Sequence, residues 1–164
     1  SALNRWKVLA EEYAKDELYR RPQNDYGWTD MIGIINEFPE SGLIPVSWVT
    51  GFMGMNPDYD GVHVNPAIPT DYEYMGMKDF SYGGRSFDVT VFKNGNLELN
   101  CKEGAGIDLS LENLSGKEKA TVKIYEGDAL KTSFEVSSEN GMFIINLSAE
   151  YSRTVCRVVI DQNI

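Results

Sequence analysis

The chain has a single histidine, His63, and no CxxC or HxxxH spacing, which leaves too few soft or imidazole ligands for a structural zinc or a zinc hydrolase. Its two cysteines, Cys101 and Cys156, stand far apart inside apolar, strand-like runs. That context reads as two small buried hydrophobes, with one disulfide open if the two strands adjoin. Basic residues are in deficit: 15 against 25 acidic, a net charge of −10. Nucleic acid would meet repulsion from such a surface, so that partner class is set aside. The longest apolar run, 43–55, is too short for a bilayer and is interrupted by Pro45, Ser47 and Thr50, so no membrane partner is expected. Gly-rich phosphate loops, nucleotide motifs and a Ser-His-Asp order are also missing, and no cofactor is expected.

What remains is an ordinary soluble composition, 42% hydrophobic, in 164 residues: enough for one domain with a core, plus a helical appendage. Residues 2–21 are rich in strong helix formers, with Leu3, Trp6, Leu9, Ala10 and Tyr13 at helical spacing and Pro22 as a stop. This predicts an amphipathic helix that reads as one member of a longer helical array. Between 23 and 41 turn signals alternate with a short apolar stretch, 31–35. Residues 46–55 then predict a helix with Trp48, Val49, Phe52 and Met53 on one face, ended by Gly54 and Asn56-Pro57.

After Asp60 the period changes to two. Phe87, Val89 and Val91 alternate with polar or outward positions, and Asn94-Gly95 is expected to make a type I′ hairpin into Leu97, Leu99 and Cys101. Further alternating runs cover 107–111, 121–125, 133–136, 142–147 and 154–160, divided by turn residues that include Glu139-Asn140-Gly141. Such short strands predict a mainly β fold, an antiparallel β-sandwich preceded by a short helical segment. The expected division is a helical part, 1–58, and a β-domain, 59–164.

The run from Val46 to Pro69, with Trp48, Gly54, Asn56-Pro57-Asp58, and Asn65-Pro66-Ala67-Ile68-Pro69, resembles the junction between catalytic barrel and C-terminal sandwich in (α/α)6 six-hairpin glycoside hydrolases and phosphorylases. Disaccharide phosphorylases and α-L-rhamnosidases are the relatives meant. Residues 80–91 are similar to the first hairpin of the same sandwich. The likeness spans about 43–93 and implies a non-catalytic C-terminal accessory domain supporting a barrel that acts on oligo- or polysaccharide. The upstream barrel of the same polypeptide and carbohydrate are then the implied partners, and a periplasmic or extracellular address is the one towards which it leans. Ser41-Gly42 is the nearest match to the phosphate-binding pair of the phosphorylases, but Leu43-Ile44-Pro45 follows where small polar residues are expected, which favours hydrolysis for the parent enzyme.

Glycoside hydrolysis needs two carboxyl groups across the scissile bond. Asp25, Asp30, Glu37 and Glu40 fall in the loop-rich helical part, and Glu40, beside Ser41-Gly42, is the candidate catalytic contributor; loop or cap carboxylates are the plain alternative. Trp28, next to Gly27, is a candidate sugar-stacking residue, with Ser41 and Gly42 as further substrate contacts. Tyr72, Tyr74, Phe80 and Tyr82 could line one side of an extended strand, either to bind sugar or to cover a neighbouring domain. His63, between two valines, has no sequence partner and reads as structural. The alternative function is a free-standing carbohydrate-binding β-sandwich module. Weak self-association through the apolar helical part is a further expectation.

Overall fold

The computed structural model describes residues 2–14, 43–147 and 156–162. The chain divides into two compact units, Ser1–Trp48 and Val49–Ile164. In the first, helix α1 (Ala2–Ala14) and the single turn α2 (Leu43–Val46) are held by Trp6. Its indole N–H donates to Ser47 Oγ (2.9 Å) and lies 3.4 Å from Ile44 O, and its ring sits 4.7 Å from that of Trp48. Each tryptophan thus covers half of the other while the indole of Trp6 keeps a polar partner. Residues Ser47–Phe52 widen to a π-helical turn, and Gly54, with φ of 66°, takes the left-handed conformation that ends it.

The second unit is mainly β. Ten strands, β1 (Met55–Asp58), β2 (Gly61–Val64), β3 (Tyr74–Tyr82), β4 (Arg85–Phe92), β5 (Leu97–Cys101), β6 (Asp108–Glu112), β7 (Lys119–Glu126), β8 (Ala129–Glu139), β9 (Met142–Asn146) and β10 (Cys156–Asp161), form one hydrogen-bonded ribbon. Its order is β1-β2-β6-β9-β8-β7-β10-β5-β4-β3. Among the described residues every strand pairing is antiparallel except β2 with β6, which is parallel. A parallel pair needs a long crossover, and here the whole β3-β4-β5 meander serves as that connection.

Binary patterning decides which side of the ribbon is dry. Phe87, Val89 and Val91 on β4, Leu97 and Leu99 on β5, Val122 and Ile124 on β7, Phe143 and Ile145 on β9, and Val158 and Ile160 on β10 are all buried, and the residues between them are not. A ribbon dry on one side has to fold over on itself. Gln162, just after β10 and wholly buried, proves that it does. Its Nε2 donates to Gly95 O (2.8 Å) in the β4–β5 turn and to Glu112 O (2.9 Å) at the end of β6, and its Oε1 accepts from Leu114 N (3.1 Å). In the ribbon β7, β8 and β9 stand between β10 and β6. Four inter-strand steps would separate the latter pair by about 19 Å in a flat sheet, beyond any side chain. The two ends of the ribbon also meet at one corner, where Tyr82 at the end of β3 donates from its hydroxyl to Asp58 O of β1 (2.6 Å).

Two turns differ from the expected ones. At Asn94-Gly95 only Gly95 has positive φ (88°), and its N–H donates to Phe92 O (2.9 Å). This is a longer loop closed by one left-handed glycine, because Gly95 must present its carbonyl to Gln162. The two-residue turn with both central φ positive lies instead at Asn140 (52°) and Gly141 (80°), between β8 and β9. Asn56-Pro57, expected to stop a helix, lie inside β1. Proline is accommodated there because β1 is an edge strand whose outer side needs no donor. No helix among the described residues is long and apolar enough to cross a membrane.

The junction at Gln162 makes a direct forecast. Gln162→Leu would leave the Gly95 and Glu112 carbonyls and the Leu114 N–H without their buried partner, and the expected loss is about 2–4 kcal/mol of unfolding free energy, measured by urea denaturation. Gly95→Ala should be similarly costly, since an added Cβ would sit 2.7 Å from the Gln162 amide nitrogen at a left-handed position. Wild-type stability in both variants would refute the clamp.

Candidate functional site

The outward face of β1, β2, β6 and β9 carries a concavity lined by polar side chains. Because Val62, Val64, Leu109, Leu111, Phe143 and Ile145 turn inward, the alternate residues turn out. Register then aligns them: His63 opposite Ser110, Ser110 opposite Ile144, and Asp108 opposite Asn146. The depression, of about 320 Å³, is lined by Asp58, Asp60, His63, Asp108, Ser110 and Asn146 among others. Its floor exists because residue 61 is glycine. A Cβ there would stand 2.5 Å from Asp108 O, so only glycine lets β2 approach β6 this closely and leaves the space above it open.

His63 Nδ1 lies 3.2 Å from Ser110 Oγ. With the hydrogen on Nε2 the hydroxyl donates to Nδ1; in the other tautomer it accepts. This serine partner was invisible in sequence, because parallel pairing of β2 with β6 brings together residues 47 positions apart. A serine–histidine contact alone does not make a nucleophile. Ser110 sits in a strand paired on both sides, so ladder bonds use the neighbouring backbone N–H groups that an oxyanion hole would need. Above the depression the β1–β2 turn holds Tyr59, 93% exposed, with its N–H bonded to Asp58 Oδ1 (2.7 Å). The signal that could have found it is the sequence Asp58-Tyr59-Asp60-Gly61 itself, a large aromatic placed in a polar turn.

The candidate residues Glu40, Trp28, Ser41 and Gly42 lie outside the described residues, as do Asp25, Asp30 and Glu37. The aromatic stretch of β3 does not present one face. Met77 pairs with Val89 but Phe80 with Phe87, so β3 carries one extra residue and its facing flips at that bulge. Tyr74 is therefore exposed (60%) and rests on Phe92 at 5.8 Å, while Phe80 is buried. The residue that absorbs the bulge is Asp79, with φ of 57°.

A polar cluster fixes this bulge. Asp79 N donates to Asp88 Oδ1 (3.1 Å), Ser86 Oγ to Asp79 Oδ1 (3.2 Å), and Lys102 Nζ reaches both Asp79 (2.6 Å) and Asp88 (2.8 Å). The hydrogen bond from Lys102 holds both carboxyls below the usual aspartate range, and the same contacts push the Lys102 ammonium above its own. All three groups are solvated, so their worth is modest and screened by salt. Among the described residues no group of three or more His, Cys, Asp or Glu side chains is placed to hold a metal ion.

No protein family model, curated protein or solved structure matches this chain.

The sign of the pH effect follows from the lowered aspartates. Their contribution is present above the unfolded carboxylate pKa and is lost as pH falls through the lowered folded values. Lys102→Met should raise the pKa of Asp79 and Asp88, followed by carboxyl NMR titration, and should flatten the acid limb of the stability profile. Added salt should shrink the difference between variant and wild type.

Proposed function

We propose that the chain is a non-catalytic accessory domain of a larger carbohydrate-active enzyme, the part that follows an (α/α)6 barrel in a six-hairpin glycoside hydrolase acting on oligo- or polysaccharide. The observation that carries this reading is the helical unit. Val8, Leu9 and Leu43 are exposed at 59%, 46% and 58%, so its apolar residues are not consumed within the unit. Leaving such side chains in water forgoes roughly 1.5–3 kcal/mol apiece relative to full burial, which favours a covering partner. The order of motifs over 46–69 names the partner as the barrel of the same polypeptide. The β unit, with its polar outward face and sealed interior, suits support better than chemistry.

A second reading is favoured by one feature. Tyr59 stands almost fully exposed in the turn between Asp58 and Asp60, two carboxylates that line a depression shared with Asn146. An aromatic face covers the C–H surface of a sugar while carboxylates and amides bond its hydroxyls, which supports a carbohydrate-binding module.

Three measurements separate the readings. The purified chain should turn over no member of a broad aryl-glycoside panel, and it should self-associate weakly in analytical ultracentrifugation, with Val8→Glu plus Leu43→Glu restoring the monomer. Turnover, or a strictly monomeric wild-type chain, would count against the accessory-domain reading. Titration calorimetry with soluble polysaccharides tests the module: binding weakened about tenfold or more by Tyr59→Ala, equivalent to about 1.4 kcal/mol, would put it first.

A further inference from the structure

The observations carry furthest at the two cysteines, which neither reading uses. Cys101 closes β5 and Cys156 opens β10, and the antiparallel ladder sets them directly opposite each other. Both are buried as free thiols, at 1% and 5% exposure. The two thiols lie close enough to shift one another's titration. Opposed residues of an antiparallel pair have Cα atoms about 4.5–5.5 Å apart. A disulfide spans about 4.4–6.8 Å, so closing one here asks for side-chain rotation and no strand movement.

Access comes from one side. A cavity of about 360 Å³ is lined by both cysteines together with Lys102, Arg157, Gly127 and Asp128. Arg157 lies with its guanidinium 4.4 Å from the centre of the Tyr125 ring, beside Cys156 in sequence. Of the charged groups that line it, Lys102 is already engaged by Asp79 and Asp88, and Arg157 is matched by Asp128, so charge does not select the reagent.

We propose that Cys101 and Cys156 form a reversible redox modification site, a dithiol that low-molecular-weight disulfides convert to a cross-strand disulfide locking β10 to β5. In the first step the Cys156 thiolate attacks one sulfur of the reagent, forming a mixed disulfide and releasing one reagent thiolate. In the second, Cys101 loses its proton and attacks Sγ of Cys156, releasing the second reagent thiol. The protein gives up two electrons and two protons, and the reagent disulfide becomes two thiols. The order of attack follows from the thiol pair: the neighbouring Cys156 thiol, and then burial, push Cys101 up, whereas the neighbouring Cys101 thiol favours the thiolate at Cys156.

The test equilibrates the whole native chain with oxidised glutathione and reads intact mass, a peptide map and thermal unfolding. The expected product has lost two hydrogens, links Cys101 to Cys156 in the map, and returns to the dithiol with excess reduced glutathione. The bond closes a loop of more than fifty residues, so the unfolding midpoint of the oxidised form should rise on the order of 5–10 °C. Cys101→Ala should accumulate a glutathione adduct at Cys156. Thiols that stay free until the chain is unfolded, adducts without a cross-link in the wild type, links between chains, or an unchanged midpoint would each overturn the proposal. The wild-type map decides even if the variant does not fold.

Discussion

The β unit depends on one buried amide. A ten-strand ribbon with one dry face can close in several ways, and hydrophobic burial alone does not choose among them because it has no direction. Gln162 supplies the direction. Its side chain satisfies a carbonyl of the β4–β5 turn, a carbonyl at the end of β6 and the N–H of Leu114, while its own N–H takes Asn96 Oδ1 (2.8 Å). Each of these groups would be orphaned in a shifted packing. Buried polar groups specify a fold through the cost of leaving them unmade, more than through the modest gain of making them.

That closure fixes what faces outward. With the β6 end clamped to the β4–β5 turn, β6 is held where β2 can pair with it in parallel, and Gly61 lets the two approach against Asp108. His63, Ser110, Asp108 and Asn146 then fall on one wet surface below Tyr59. The arrangement has polar groups suited to hydroxyl recognition, and the paired strands leave no backbone donors for covalent chemistry at Ser110.

The ribbon also protects its ends. β1 carries Pro57, and β3 carries a bulge at Asp79 with Lys78 beside it, and both devices discourage another strand from pairing there. Tyr82 ties the two ends together at Asp58 O. Exposed apolar side chains remain on both units, at Val8, Leu9 and Leu43 on the helical one and at Tyr74, Leu130 and Ile144 on the β unit. The cysteine pair stands at the opposite pole of this logic, inside the ladder, where a covalent link would reinforce pairing that already exists.

Period-two alternation from residue 85 onward determined the fold class, β4 to β10 and most of the core, because burial of one face per strand is a local pattern. The helix over 2–14 was equally legible from its apolar spacing. Strands β1 and β2 were missed because Pro57 and Gly61 look like turn residues out of context, and β3, read as an extended strand with its aromatics on one side, changes face at its bulge. The type I′ turn expected at Asn94-Gly95 is a longer loop there, whereas the turn residues Asn140-Gly141 do take two positive φ values. The candidate site was almost illegible. Its residues come from 58–63, 108–110 and 146, and their neighbourhood arises only from register across a parallel pair and a 43-residue crossover between Val64 and Asp108. Sequence supplied the patterned faces; tertiary structure alone decided which strands meet, because pairing partners are chosen by closing the whole ribbon around a core and not by any segment's own preference.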